Sequence, residues 1–421
     1  MAVVGLGYVG LPLALTFAEA GFPTLGFDID RRKIEALGAG ESYVGHIAGS
    51  RIDAARADGR FSATADFDRL TEADAILICV PTPLKGEREP DLRFVESTVR
   101  EIRRRLRPGH LVVLESTTYP GTTDEIVRPE LDRAGLECDR DYFLAYSPER
   151  ENPGTEHRTA TVPKVVGGVG AASGDLAEAL YASVVTSVVR VSSCRVAEAT
   201  KLTENVFRAV NIALVNELKL VFEKLGVDVW EVLDAAATKP FGFMRFDPGP
   251  GLGGHCIPID PFYLAWQAER HGARARFVEL AGEINTSMPA YVVNRLDEEI
   301  EAAGGRLEDS RVLLLGLAYK SDVDDPRESP AFAILDLLHR RGSQVAYHDP
   351  HILEAPSMRS WPELPPLRSI PLRPEAIAEF DAVVIVTDHT AVDYETVAAH
   401  ARLVLDTRNV YSRQRPNVKK A

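Results

Sequence analysis

The chain has 421 residues, 45% of them hydrophobic and 26% charged, close to globular averages, so a sizeable core is expected and disorder is not; at roughly 150 residues per domain it holds two or three domains. Its 48 Lys plus Arg face 62 Asp plus Glu, a net charge of −14, which argues against nucleic-acid binding yet leaves room for one basic pocket that takes a small anion. No apolar run nears the roughly 20 residues that span a bilayer, no signal-peptide pattern opens the chain, and Cys79, Cys138, Cys194 and Cys256 form no CxxC pair, so we expect a cytoplasmic protein with reduced thiols, no metal cage and no membrane partner.

Residues 1 to about 190 alternate short apolar runs with helix-like segments. The runs are Ala2–Val4, Thr24–Phe27, Ala75–Val80, Leu111–Leu114, Phe143–Tyr146 and Lys164–Val166. Apolar residues at consecutive positions suit strands buried on both faces, and the alternation predicts a parallel sheet with helices on both sides. Gly5-Leu6-Gly7-Tyr8-Val9-Gly10 follows the first run and precedes a helical pattern, Leu11 to Ala20. That is the strand–turn–helix context a GxGxxG match needs. Its glycines permit a tight turn and close approach to a pyrophosphate at a helix N-terminus. Asp28 ends the second run, 18 residues after Gly10; a carboxylate there accepts from a ribose 2′-OH and repels a 2′-phosphate, so NAD is expected rather than NADP. Lys33 either faces the same ribose or is solvated. The plainer alternative is a set of turn glycines without a ligand.

Two loops follow strand ends, where open α/β sheets bind ligands: Glu115 to Gly121, and Tyr146 to Gly154. From Arg195 to Leu225 there is no proline and no glycine, which predicts a helix of about 31 residues, roughly 46 Å long, as the spine of a middle helical domain. Lys201, Asn205 and Arg208 fall at i, i+4 and i+7, on one face. A lysine, an amide and a guanidinium in line suit sugar hydroxyls and a developing oxyanion; a solvated face is the alternative.

The run from Pro248 to Pro261 places glycines at 249, 251, 253 and 254 ahead of Cys256. Such backbone can approach a ligand closely. Asp260-Pro261 reads as an N-cap with proline at the first helical position, so Cys256 sits just ahead of a helix start, which favours a thiolate, a strong nucleophile toward a carbonyl carbon. The alternatives are a buried structural cysteine and an Asp260 that only caps. His255 has no further ligands clustered near it, so no metal is expected. From about 305 the strand–helix alternation resumes, at Arg311–Gly316, Gln344–Tyr347, Ala382–Val386 and Leu403–Leu405, without a GxGxxG, and Ala355 to Pro374 reads as loop. The fold class expected is α/β: two Rossmann-like doubly wound domains joined by a central helical domain with one long helix, at residues 1–190, 191–300 and 301–421.

Seven ordered motifs, GLGYVGLPLA, CVPTPL, EST, YSPERENPG, EATKLTENVFRAVN, GPGLGGHCIPIDPFYL and LGLAYKSDVDDPRESP, resemble the UDP-glucose/GDP-mannose dehydrogenase family over essentially the whole chain. Within it, GGHCIPIDPFYL is similar to the branch that acts on UDP-N-acetylglucosamine. Ile259 stands where the UDP-glucose branch has lysine, and the UDP-N-acetylmannosamine branch carries GGHCIAVDP-like runs. The resemblance implies a four-electron oxidation of a sugar C6 hydroxyl. A first hydride transfer to NAD gives an aldehyde, Cys256 adds to give a thiohemiacetal, a second transfer gives a thioester, and water releases the uronate.

By the same resemblance Lys201 and Asn205 stabilise the oxyanion or handle protons. Asp260 orients or activates water, Glu149 assists hydrolysis, and Thr117 positions water or the nicotinamide. NAD is held by Gly5, Gly7, Tyr8, Val9, Gly10, Asp28, Lys33, Thr82, Thr117 and Arg327. The UDP-sugar meets Glu149, Arg150, Lys201, Asn205, Arg208, Gly253, Tyr319, Lys320 and Arg408, whose cations suit a diphosphate. The family's habit of pairing through the central helix implies a homodimer. Arg245 departs from the branch, which more often has proline there, and is left outside the expected site. Two other readings stand beside this one: the same chemistry on UDP-N-acetylmannosamine, UDP-N-acetylgalactosamine or UDP-glucose, and a catalytically silent NAD- or nucleotide-sugar-binding protein. A two-electron alcohol dehydrogenase with a structural Cys256 would release one NADH per sugar.

Overall fold

A computed structural model describes the chain except for residues 46, 86–88, 151–160, 255–256 and 359. It divides into two compact units, Met1–Asn205 with Phe262–Arg274, and Val206–Pro261 with Ala275–Ala421. No helix among the described residues is long and apolar enough to cross a membrane.

The first unit alternates strands and helices: β1 (Ala2–Val4), α1 (Gly10–Glu19), β2 (Thr24–Phe27), α2 (Arg31–Ala39), α3 (Gly49–Ala57), β3 (Phe61–Thr64), β4 (Ala75–Ile78), the short β5 (Leu84–Lys85) and β6 (Glu89–Pro90), α4 (Arg93–Arg103), β7 (Leu111–Leu114), α5 (Arg128–Asp132), β8 (Phe143–Tyr146), β9 (Lys164–Gly168), α6 (Ala171–Ala182) and β10 (Val188–Val191). Eight strands form one sheet in the order β10-β9-β8-β7-β4-β1-β2-β3. Successive side chains of a strand point to opposite faces. Val3, Leu77 and Val113 therefore join one core with Leu11 and Leu15 of α1, while Ala2, Val4, Ile76 and Leu114 join another with Val95, Val99 and Ile102 of α4. The expectation of a wholly parallel sheet is corrected at one place. β9 pairs antiparallel to β8, at Ala145 opposite Gly168 and Tyr146 opposite Gly167. A parallel neighbour needs a crossover, an antiparallel one only a reversal; β9 reverses along β8, and α6 then carries the chain to a parallel β10.

The long helix α7 (Cys194–Lys224) matches its predicted span to within a residue at each end. After it come α8 (Val229–Ala237), α9 (Asp260–Arg270) and α10 (Arg276–Ala302). In the second unit buried amides link α7 and α10: Asn216 Nδ2 donates to Asn285 Oδ1 (2.9 Å) and Asn285 Nδ2 to Ala209 O (3.0 Å). Asn216 Oδ1 also accepts Gly249 N (2.9 Å), which fixes where the glycine-rich loop begins. The chain then forms β11 (Arg311–Leu315), α11 (Pro330–Arg340), β12 (Gln344–His348), α12 (Pro374–Ala378), β13 (Ala382–Ile385), α13 (Tyr394–His400), β14 (Val404–Asp406) and β15 (Val418–Lys420). Its five strands are parallel, in the order β12-β11-β13-β14-β15. One face packs on α10 and α11 through Val312, Leu314, Leu296 and Leu335; the other packs Leu313 and Leu315 on Ile377 and Val397.

Candidate active site

The first unit holds the predicted dinucleotide turn. Gly5 has φ +94°, and a Cβ there would lie 2.7 Å from Cys79 O; one at Gly10 would lie 1.8 Å from Gly5 O. Both positions are closed to any side chain by the protein's own backbone. Around a Cβ at Gly7 no atom lies within 4 Å, so the backbone there is open to an approaching pyrophosphate beside Tyr8 and Val9, where α1 begins at Gly10. Asp28 is almost buried. Its Oδ2 accepts Leu6 N (3.0 Å) and Lys33 Nζ (2.9 Å), and its Oδ1 accepts Asp30 N (2.9 Å). Lys33, about a third exposed, is thus ion-paired to the acid that would meet the ribose. Tyr43, not anticipated from sequence, donates to Leu6 O at 2.6 Å and braces the same turn. These features fit a dinucleotide.

Thr82 and Thr117 come together at the ends of β4 and β7, where Thr82 Oγ1 donates to Thr117 O (2.7 Å). Tyr263 of α9 donates to Thr82 O. Glu198 of α7 accepts Gly121 N (2.6 Å), Thr123 N (2.9 Å) and Thr123 Oγ1 (2.7 Å), which ties the segment after Thr117 to the long helix. Burial pushes its carboxyl up to about 7 against those donors.

Glu149, Lys201 and Asn205 are each at most 9% exposed. Lys201 Nζ donates to Glu149 O (2.5 Å), so the helix-borne lysine and the acid of the SPE motif are brought together. Arg150 is turned toward Glu204 of α7 (2.7 Å) and Pro163 O (2.6 Å). Behind Glu149 lies a charge cluster the sequence did not reveal. Lys164 Nζ stands 2.5 Å from Glu115 Oε2 and 3.5 Å from Glu149 Oε2, and Tyr181 OH donates to Glu115.

In the second unit the glycine run lies against the loop after β11. A Cβ at Gly253 would sit 2.6 Å from Tyr319 Cβ; Gly254, at φ +87°, faces the Tyr319 ring, and its N donates to Arg327 O (3.0 Å). Gly253 and Gly254 are therefore required by Tyr319 itself, a reason the sequence reading, which looked to a ligand, did not supply. Cys256 and His255 lie outside the described residues. Asp260 is the first residue of α9 rather than a cap ahead of it, and is 3% exposed. Burial and the nearby Arg208 guanidinium pull the Lys320 ammonium down. Two cations set this close suit an anion. Arg408 donates from Nε to Val386 O (2.8 Å), and its Nη1 lies 2.8 Å from where a Cβ at Gly249 would be. Arg327 is paired in a fork with Asp325. Arg245 pairs with Asp234 and Asp247, which accounts for its charge locally. Asp349, after β12, accepts Leu317 N (2.7 Å), Ala318 N (2.9 Å) and His389 Nε2 (3.1 Å).

Comparison with known proteins agrees with both halves. Residues 1–185 match the NAD binding domain of the UDP-glucose/GDP-mannose dehydrogenase family, 195–287 its central domain and 313–413 its UDP binding domain. The chain is 34% identical to a UDP-N-acetyl-D-mannosamine dehydrogenase of Pyrococcus horikoshii over 97% of this chain and 95% of that one. It is 36% identical to a UDP-N-acetyl-D-glucosamine 6-dehydrogenase of Pseudomonas aeruginosa, over 86% and 85%. The solved structure of the UDP-D-ManNAc dehydrogenase from Pyrococcus horikoshii superposes with a TM-score of 0.89 at 32% identity, covering 100% of this chain and 98% of that one. The chain belongs to the UDP-glucose/GDP-mannose dehydrogenase family and is an NAD-dependent UDP-sugar dehydrogenase.

Proposed function

We propose that the chain oxidises the C6 hydroxyl of UDP-N-acetylglucosamine to the uronate, with Cys256 holding the intermediate as thiohemiacetal and then thioester. The observation that carries this reading is the hydrogen bond from Lys201 Nζ to the backbone carbonyl of Glu149, which brings the ammonium of α7 to the backbone of the SPE segment beyond the C-terminal end of β8. NAD, when bound along Gly5–Gly10, Asp28, Lys33, Thr82, Thr117 and Arg327, accepts hydride. Lys201 and Asn205 stabilise the developing oxyanion. Asp260 orients water, and Glu149 takes its proton during hydrolysis. Lys320, Arg208 and Arg408 meet the diphosphate, with Glu149, Arg150, Gly253 and Tyr319 completing the substrate contacts. In this reading the domains run 1–190, 191–300 and 301–421, and the enzyme works in the cytoplasm, in keeping with the described cysteines 79, 138 and 194, which are unbridged.

The substrate reading rests on GGHCIPIDPFYL, with Ile259 in place of a lysine, and on the Pseudomonas aeruginosa relative. A second reading, UDP-N-acetylmannosamine, is favoured by the Pyrococcus horikoshii relative. Measuring kcat/KM for UDP-N-acetylglucosamine, UDP-N-acetylmannosamine, UDP-N-acetylgalactosamine and UDP-glucose side by side separates them. We expect the first to lead by tenfold or more; a lead for another sugar keeps the chemistry and overturns the substrate.

A further inference from the structure

Lys164, the first residue of β9, is 3% exposed, and its Nζ lies between Glu115, at the end of β7, and Glu149, beyond the end of β8. A lysine this far from water is expensive unless its charge is needed. Burial alone would strip its proton, but the two carboxylates outweigh that and hold the ammonium above its usual range. Among the described residues, the following ionisable groups pack around it. Glu115 accepts from Lys164 and from Tyr181 OH of α6. Glu149 receives Arg150 N on Oε1 (2.6 Å) and Lys164 at 3.5 Å on Oε2. Lys201 of α7 takes the Glu149 carbonyl. Cys79, beyond β4, is kept a thiol by burial and by Glu115. The Lys164 ammonium thus lies within 3.5 Å of both carboxylates. Glu115 is anchored from behind by Tyr181, so the remaining reach of Lys164 is toward Glu149.

We propose that Lys164, anchored by Glu115 and Tyr181, is a positioning residue that keeps Glu149 ionised and so sets the pH range over which uronate is released. This rests on the reading of Glu149 as the hydrolytic base. In that step a water proton passes to Glu149, the water oxygen bonds to the thioester carbonyl carbon, the C–S bond breaks, and Cys256 leaves as thiolate. Only the ionised form of Glu149 can take that proton. Without Lys164, the facing carboxylate of Glu115 and the buried setting favour the protonated, inactive form.

Lys164→Met alone would leave two buried carboxylates facing each other and risks unfolding, so the test uses Glu115→Gln/Lys164→Met together with Lys164→Arg. For each, kcat for uronate release is followed from pH 5 to 10, alongside the NAD dissociation constant. An opposite charge within about 4–6 Å moves a carboxyl by about 1–3 pH units. Because the double variant also loses the like charge of Glu115, the acid limb should shift upward by about 1 pH unit, a loss of up to about 10-fold on the acid side of the parent limb that recovers by pH 9. NAD binding should not change, and Lys164→Arg should stay near the parent profile. A double variant whose profile superimposes on the parent, while Glu149→Gln is crippled, overturns the inference. Glu149→Gln with parental hydrolysis overturns the reading of Glu149 and the inference with it.

Discussion

Lys164 and Lys219 are both buried, 3% and 5% exposed, yet their surroundings send them in opposite directions. Lys164 has two carboxylates within 3.5 Å. Lys219, on α7, lies over the Tyr291 ring at 5.3 Å, and its Nζ has no hydrogen-bond partner among the described residues. Burial pulls it down from 10.5 to about 7, only partly resisted by Glu223. The sign follows from linkage. Between about 7 and 10.5 the unfolded chain binds the proton that the folded chain has lost, so stability rises with pH there. Below about 7 both states carry the charge and the folded state bears the full penalty of burying it. Lys219→Met should therefore stabilise the fold most at pH 6 to 7, by up to about 4 kcal/mol, with the gain fading toward pH 10. Urea titrations at pH 6.5 and 9.5 check this; an equal gain at both, or a loss at pH 6.5, would contradict it.

Among elements, α7 was the most legible, because 31 residues without proline or glycine leave little else to form. Strands whose residues are all buried, such as β1, β2, β4 and β7, were legible for the same kind of local reason. β3, β10 and β15 escaped notice because their residues are largely half-exposed or exposed, and so lack a continuous apolar run. Phe207, Leu214 and Val221 stand at seven-residue intervals on α7 and are 46%, 48% and 47% exposed. That spacing repeats one helix face, and such a face suits a second copy of the same helix. We therefore propose the homodimer through α7. Light scattering should give twice 46.1 kDa. Leu214→Glu should shift the mass toward one chain; a dimer untouched by that substitution would place the contact elsewhere.

At the scale of the whole molecule, residues close in sequence were the readable part. Gly5, Gly7, Gly10 and Asp28 announce a dinucleotide turn because a strand, a turn and a helix succeed one another within about thirty residues. Glu115, Lys164 and Tyr181 could not be read so, since the pairs they form span 49 and 66 residues of chain and each residue alone looks like an ordinary strand or helix position. The reversal of β9 against β8 was hidden likewise, because a short apolar run does not carry its direction. What joins the motifs into one account is the chemistry, two oxidations with the intermediate held on Cys256. NADH formed per limiting UDP-N-acetylglucosamine tests it most directly, for the parent enzyme and for Cys256→Ser. We expect two NADH per sugar from the parent and no uronate from the variant, with NAD binding intact. One NADH per sugar, or full uronate production by Cys256→Ser, would contradict it.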